Sequence, residues 1–404
     1  MQKGDPLPRA VYVLAIGIFA MVTSEFAVGG LMPQMAGGLG VTISQIGYLI
    51  TAFAVAMAAG GPLMTVALVR IRPKPALMLL FAIFLVGNVL AAVAPSYPIL
   101  MVARVITGVA SQAFFGVAIS VAVQLSRPEV RGRALSIVLT GLMLGTLLGL
   151  PLSTLIGGQL GWRAAFWAVG ALTVIAALAT TAGVPGLGRA DGGNGDFRQE
   201  LAVFRNGRLW LALSTSTLII GATFAAFSYL SPILTQVTGF SSGAVPLLLV
   251  AYGAATVIGN YVVGRLADRH TIKVLLSGLI LNTIFLAGFA LFAHLSVPAV
   301  IAMLGVGLVG VTMNPAMAVR VQRAGNPGPL VNTVHASFIT LGVIVGSSVG
   351  GLAIDGFGLR APLWLGVGLA VLGIASLLPE LGRTRAQSPA ESLAQERAET
   401  ATTC

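Results

Sequence analysis

The stretch VYVLAIGIFAMVTSEFAVGGLMP fills residues 11–33 and decides which solvent this chain folds in. Apolar sequence runs from Val11 to Met32, broken only by Thr23, Ser24 and Glu25. A helix crosses the hydrocarbon core of a bilayer in about 20 residues, so the run is long enough to span one. It is too long for the core of a signal peptide and lacks a convincing cleavage site, so it is expected to stay in the protein. No other Asp or Glu sits deep inside an apolar run of this sequence. A carboxylate among lipid-facing helices is costly, which makes Glu25 a functional candidate by default.

The rest of the chain carries the same signature. It is 56% hydrophobic and 9% charged, with 51 glycines in 404 residues, where a soluble domain has about 25% charged residues. The formal charge of +11 would suit nucleic acid if the basic residues formed one patch. They fall in short connections instead, so the expected partner is a lipid bilayer and no nucleic acid. Cys404 is the single cysteine, and His270, His294 and His335 are far apart. That leaves neither a disulfide framework nor a metal-ligand spacing, and no cofactor is expected.

Broken at polar, Gly/Pro and basic punctuation, the sequence gives twelve apolar spans near 11–33, 46–69, 76–95, 97–125, 134–158, 163–185, 209–237, 244–267, 273–294, 297–321, 330–356 and 361–381. Alternating the connections between two sides puts all but three of the 23 basic residues on the side of the amino terminus. Arg163 and Arg360 fall on the other side, and Arg104 lies within a span. Such a bias predicts that both termini are cytoplasmic. The expected fold class is therefore an all-α membrane protein with twelve transmembrane helices. Residues 1–185 form an amino-terminal six-helix bundle and 209–381 a carboxy-terminal one. Residues 186–208 are a cytoplasmic linker and 382–404 a cytoplasmic tail. Phe197, Leu201 and Phe204 suggest a short surface helix in the linker, although a plainly solvated linker fits nearly as well.

The halves also repeat one another. At an offset of 199, Ala52-Phe53 matches Ala251-Tyr252, Gly60 matches Gly259, and Arg70 and Lys74 match Arg269 and Lys273. At 197, Gly145, Gly149, Gly161, Arg163-Ala164 and Trp167 match Gly342, Gly346, Gly358, Arg360-Ala361 and Trp364. Two six-helix pseudo-repeats of equal topology mark an alternating-access transporter built from parallel repeats.

Here the residues resemble the major facilitator superfamily over essentially the whole chain. Gly264-Arg265-Leu266-Ala267-Asp268-Arg269 is similar to that family's G-x-L-A-D-R loop, which implies a charged latch at Asp268 and Arg269. In the first-half copy Thr65 and Val69 replace the Gly and the Asp. Arg104 with Gly108 resembles the R-x-x-x-G pattern of the fourth helix. Gly141, Gly145, Gly149, Pro151, Gly157 and Gly158 resemble the glycine-proline signature of drug:proton antiporters, with Ser348 at the proline position of the repeat. Thr23-Ser24-Glu25-Phe26, Trp162-Arg163-Ala164-Ala165-Phe166-Trp167 and Gly221-Ala222-Thr223-Phe224-Ala225-Ala226-Phe227 sharpen the likeness. They point to the branch that holds arabinose-efflux-like proteins and actinobacterial chloramphenicol exporters.

Glu25 lies about 8 residues before the outer end of the first span and Arg104 about 7 into the fourth, so both sit roughly 10–12 Å deep. If the two helices are neighbours, as the resemblance implies, the charges come within salt-bridge or water-bridged range and couple directly or indirectly; the alternative is that Arg104 satisfies itself on backbone carbonyls alone. Burial favours the protonated carboxyl and a nearby guanidinium the ionised one. A group held between these effects suits proton coupling, whereas a permanently paired Glu25 would be structural. For a substrate pocket the intramembrane aromatics and amides are candidates: Asn88, Gln112, Phe115, Phe224, Phe227, Tyr229, Tyr252, Asn260, Tyr261, Asn314, Asn332 and His335. Of these, Gln112, Phe115, Phe227, Asn332 and His335 are carried forward, while Gly145, Gly149, Pro151, Asp268 and Arg269 are read as conformational.

The resulting expectation is a monomeric, proton-driven exporter of a small lipophilic drug in the bacterial inner membrane. An exporter of a sugar, nucleoside or endogenous metabolite is the alternative. A membrane-embedded enzyme lacks a convergent catalytic cluster, and a channel lacks a charged selectivity ring.

Overall fold

The computed structural model describes residues 8–68, 70–127, 130–186, 203–325 and 329–380. The side chains of Gly132, Arg133, Asp268, Arg269, Pro329 and Leu330 are not among those described. The expected linker helix at Phe197 and Leu201, the tail, and the latch side chains of Asp268 and Arg269 thus lie outside the described residues.

Among the described residues, twelve helices are long and apolar enough to cross a membrane. They are α1 (Arg9–Leu39), α2 (Ile43–Leu68), α3 (Pro73–Val93), α4 (Tyr97–Leu125), α5 (Ala134–Leu160), α6 (Trp162–Gly183), α7 (Gly207–Phe227), α8 (Val245–Ala267), α9 (His270–Phe292), α10 (Ser296–Ala324), α11 (Val331–Phe357) and α12 (Ala361–Glu380). Six precede the segment joining α6 to α7 and six follow it. Each expected span overlaps one helix. The largest difference is at the seventh, where the helix stops at Phe227 and Tyr229 (φ −112°, ψ 15°) separates it from short turns through Val237.

Local chemistry sets these boundaries. Gly40 takes a left-handed φ of 64° and returns its N–H to Ala36, closing α1. Two residues later Thr42 and Gln45 form a reciprocal capping box that starts α2, satisfying donors the first turn cannot. Gly161 alone separates α5 from α6 at φ 86°, and Gly358 repeats the device after α11 at φ 77°. Only glycine takes such angles without strain, so the matched pair is the sequence repeat made visible in the backbone.

Lipid offers no hydrophobic drive between helices, so close packing of small residues holds them together. The seam of α1 against α5 shows this. A methyl group at Gly145 would come within 2.6 Å of Val22 Cβ, and one at Gly149 within 2.8 Å of Thr23 Cα. The seam of α7 against α11 matches it, with Gly342 against Thr217 O and Ile220, and Gly346 against Gly221 and Ala225. Pro151 lies inside α5 two residues after Gly149, within this seam. α1 and α7 are the most enclosed helices, with 61% and 72% of their apolar windows buried, so they mark the molecular centre.

The halves meet at one end. Away from Arg9, Ser44 donates to Asp355 (3.0 Å), Thr51 pairs with Ser347 (2.8 Å), and Ser231 donates to the carbonyl of Gly30 (3.2 Å). There the ring of Tyr229 lies against Gly47 of the opposite half, and its hydroxyl donates to the carbonyl of Ser347 (2.6 Å). Toward the Arg9 end, α2 and α11 part, leaving Leu63, Val66, Asn332 and Thr333 exposed. The bundle is closed at the far end and open at the end bearing Arg9.

Candidate functional site

α1 passes through the centre with Thr23, Ser24 and Glu25 in succession. Thr23 spends its hydroxyl on its own helix, donating to Phe19 O (2.7 Å). Ser24 is fully buried and donates to Asn88 Oδ1 on α3 (2.9 Å), while the Asn88 amide donates to Phe84 O (2.9 Å). Opposite, Arg104 on α4 is 1% exposed. It donates to the main-chain oxygen of Ser24 (2.9 Å) and that of Glu25 (3.2 Å), and lies 4.2 Å above the ring of Phe53. Helical carbonyls keep a second lone pair free, so they serve as acceptors for a cation without breaking α1. Arg104 Nε has no hydrogen-bond partner among the described residues.

The shared depth read from the sequence therefore puts the two charges on neighbouring helices. The contact is indirect. Arg104 holds the backbone of Glu25, and the two side chains form no ion pair. The Glu25 carboxylate makes no hydrogen bond among the described residues and borders a cavity between the halves. Phe26, Ile50, Phe53, Phe224, Phe227 and Ser228 also line it. At about 20 Å³ it has room for one water molecule. The Ser228 hydroxyl is buried there without a partner.

Aromatic rings fill the rest of the centre. Phe26 of the first half stacks on Phe224 (6.4 Å) and meets Phe227 edge-on (5.5 Å). Phe224 meets Phe227 edge-on (5.5 Å), and Tyr252 stacks behind Phe227 (5.3 Å). Buried aromatic pairs of this kind contribute about 0.5–1.5 kcal/mol each beyond their area. The cluster is thus a cohesive plug that joins the halves beside the single carboxylate.

Of the five carried-forward pocket residues, only Phe227 reaches this place. Gln112 packs on Gly61 of α2, and Phe115 joins the core of the first half. Asn332 is exposed near the open end and accepts from Gln322 (3.1 Å). His335 is buried against α7, paired with Ser216 Oγ (3.0 Å), inside the second half. From the wider set, Phe224 and Tyr252 belong to the cluster, while Tyr229 serves the far-end closure. Asn260 and Asn314 border a separate cavity. Phe26 was quoted in a motif and Phe53 in the repeat, without being assigned to a pocket; Phe26 directly follows Glu25, and Phe53 matches the pocket candidate Tyr252 at the offset of 199, which were the usable signals.

One further pair escaped the sequence reading. Arg320, counted only among the basic residues of the amino-terminal side, lies inside α10, is 5% exposed and is clasped by Glu380 of α12 at 2.7 and 3.1 Å. It ties the second half together far from the centre.

Among known proteins, a family profile of the Major Facilitator Superfamily matches residues 14–334. Over 366 residues the chain is 35% identical to the inner membrane transport protein YdhP of Escherichia coli K12, covering 90% of this chain and 93% of that one. Over 352 residues it is 34% identical to a chloramphenicol resistance protein of Streptomyces lividans, covering 86% and 88%. Its fold resembles that of a bacterial homologue of the human lysosomal transporter Spinster in an inward-facing, unoccupied conformation. The TM-score is 0.77 at 16% identity, over 93% of this chain and 97% of the other.

Proposed function

We propose, from the premise that this chain belongs to the Major Facilitator Superfamily and is a multi-pass membrane transporter, that it exports a small lipophilic drug in exchange for protons. The site is the bacterial inner membrane, and chloramphenicol-like molecules are the first substrates to try. The observation that carries this reading is Glu25: a carboxylate without a hydrogen-bond partner, bordering the cavity between the halves and backed by Arg104 on its own main chain. Supporting it are the 34% identity to a protein named for chloramphenicol resistance and the aromatic walls, which suit a lipophilic guest with few polar contacts. The same walls disfavour a sugar or nucleoside.

With the basic end facing the cytoplasm, the present conformation is open inward and closed outward. Drug entering from the cytoplasm displaces the plug of Phe26, Phe224 and Phe227 and meets an ionised Glu25. The halves rock, the far-end contacts of Ser44 and Thr51 part, and Glu25 takes a proton from outside as drug leaves. The empty, protonated carrier returns and releases its proton inward. Each ligand shifts the equilibrium only by its unequal affinity for the two faces, and Glu25 supplies that inequality for both. All parts of this cycle reside in one chain, so the monomer is the working unit.

A drug panel in an efflux-deficient host, comparing wild type with Glu25→Gln, tests the reading. Wild type should confer resistance to chloramphenicol-like or several lipophilic drugs. In proteoliposomes it should drive uphill export under an imposed proton gradient, and the variant should do neither. A fully expressed Glu25→Gln protein that still pumps uphill on a proton gradient sinks the coupling role. Resistance to nothing in the panel favours a metabolite exporter.

A further inference from the structure

A second, apolar cavity near the interface between the halves lies away from Glu25. It lies between α5 of the first half and α8 and α10 of the second, in the part of the bundle toward the Arg9 end, and measures about 380 Å³. That is within the range of small-molecule sites, about 300–1,000 Å³, and far larger than the water-sized space beside the carboxylate. Its walls include Leu142, Met143, Val257 and Pro315, and no charged residue lines it. Around it, Met143 and Val257 are 44% and 43% exposed, and Ile258 and Tyr261 on the outer flank of α8 are 58% and 59% exposed. The mouth is framed by apolar side chains on two membrane-spanning helices, which suit contact with acyl chains.

Its polar inventory is small and uneven. Thr146 and Thr256 spend their hydroxyls on their own helices, donating to Leu142 O (3.0 Å) and Tyr252 O (3.1 Å). Asn260 and Asn314, which also line the cavity, make no side-chain hydrogen bond among the described residues. Asn314 begins the last part of α10, beyond a break at Gly310 (ψ −94°) and a single tight turn at Val311–Met313. Discontinuous helices of this kind line substrate paths in transporters. On the inner side, Gly253 packs on Leu147 and closes the cavity off. The next residue back, Tyr252, stacks on Phe227 of the aromatic plug, and its hydroxyl is buried with no partner. The cavity thus ends one side chain away from the central cluster.

We infer that this cavity is an entry site by which the lipophilic substrate reaches the centre from the membrane rather than from water. The occupant is a drug-sized neutral molecule with an apolar body and a hydrogen-bonding head. The body lies against Leu142, Met143 and Val257, and Asn260 and Asn314 take the head. Passage inward requires the Leu147–Gly253 contact and the Tyr252 ring to give way. The inference rests on the export reading for its direction, while the existence of the site does not.

The probe is a small aryl diazirine that partitions into bilayers, applied to the full-length protein in membranes. Photolabelling at Met143 and Val257 should saturate and be competed by excess unlabelled analogue, whereas labelling at Ile258 on the lipid face should rise linearly. Non-saturable labelling at all three positions overturns the site. Val257→Trp, which fills the cavity, should abolish saturable labelling and lower export of a strongly partitioning drug about fivefold or more, while Ile258→Trp leaves both unchanged. Saturable labelling with undiminished export by Val257→Trp overturns the entry role. A wild-type protein that labels saturably yet exports nothing overturns the export reading and with it the entry role, leaving only a binding site.

Discussion

The two halves of this molecule share one scaffold and divide the chemistry unequally. Gly145 rests on Val22 and Phe19 O, and Gly342 rests on Ile220 and Thr217 O, which sets α1 against α7 at an offset of 198. In that register Phe26 answers to Phe224, and Glu25 to Thr223. Gly108 lies on the main chain of Phe53, and Gly307 on that of Tyr252, so at an offset of 199 Arg104 answers to Met303. The supporting amide is out of register: Asn88 accepts from Ser24 at 2.9 Å, whereas Asn282, at an offset of 194, reaches Thr223, the counterpart of Glu25, at 3.5 Å. One half thus carries a carboxylate and a guanidinium where the other carries a hydroxyl and a thioether. An intramembrane charge costs about 2.5–3.5 kcal/mol on insertion scales. A single charged set limits that cost, and the neutral half supplies the aromatic wall against which the charged half works.

The comparison can be broken most severely at its charged end. Glu25→Gln should abolish gradient-driven efflux while leaving expression intact, and Thr223→Glu in that background should not restore it. Recovery by Thr223→Glu would make the halves interchangeable, read as drug resistance and as proton-linked uptake into vesicles. Next in size is Arg104→Met, which copies Met303 into the first half. It removes the donors to Ser24 O and Glu25 O and should lower efflux about tenfold or more, together with a loss of thermal stability of about 1–3 kcal/mol. Met303→Leu, at the matching place, should cost less than about 1.5 kcal/mol, and melting of the detergent-solubilised proteins separates the two.

The seams should respond alike. Gly149→Ala and Gly346→Ala both press a methyl group within 2.8 Å of a neighbouring backbone, and each should destabilise by about 1–3 kcal/mol. A large difference in melting shift between them would show that the seams are not equivalent. The smallest contrast is between the amides. Asn88→Ala loses two bonds at 2.9 Å and leaves Ser24 unpaired, for about 1–2 kcal/mol. Asn282→Ala loses one weak contact and an already unpartnered oxygen and should be close to neutral in the same assay.

Much of the scaffold was legible because membrane insertion writes it in plain terms: length of apolar run, bias of basic residues, and glycines four apart. The depth argument worked for Glu25 and Arg104 because helical rise is fixed and both helices begin at marked ends. Which face each helix turns inward was not legible. All faces of these helices are apolar, so periodicity does not separate a side chain turned to lipid from one turned to the other half. Gln112, Phe115 and His335 were placed in the pocket on residue type alone, and each proved to be packed within its own half. Arg320 shows the converse failure. Its partner Glu380 is 60 residues away, and nothing near it in sequence announces the pair.

One consequence of the tight glycine turns concerns what the protein shows to the outside world. Five of the six connections at the far end are short, namely Gly40 to Thr42, Ala94 to Ser96, the single residue Gly161, Ala293 to Leu295 and Gly358 to Arg360, and the sixth, residues 228–244 before α8, is longer. Trypsin arriving from that side finds no basic residue in that longer stretch, and only Arg163 and Arg360, at the starts of α6 and α12, elsewhere. On the opposite side, α6 and α7 are separated in sequence by residues 184–206, which include Arg189, Arg198 and Arg205. In sealed vesicles of known sidedness the chain should therefore be cut from one side only, which reads its orientation directly.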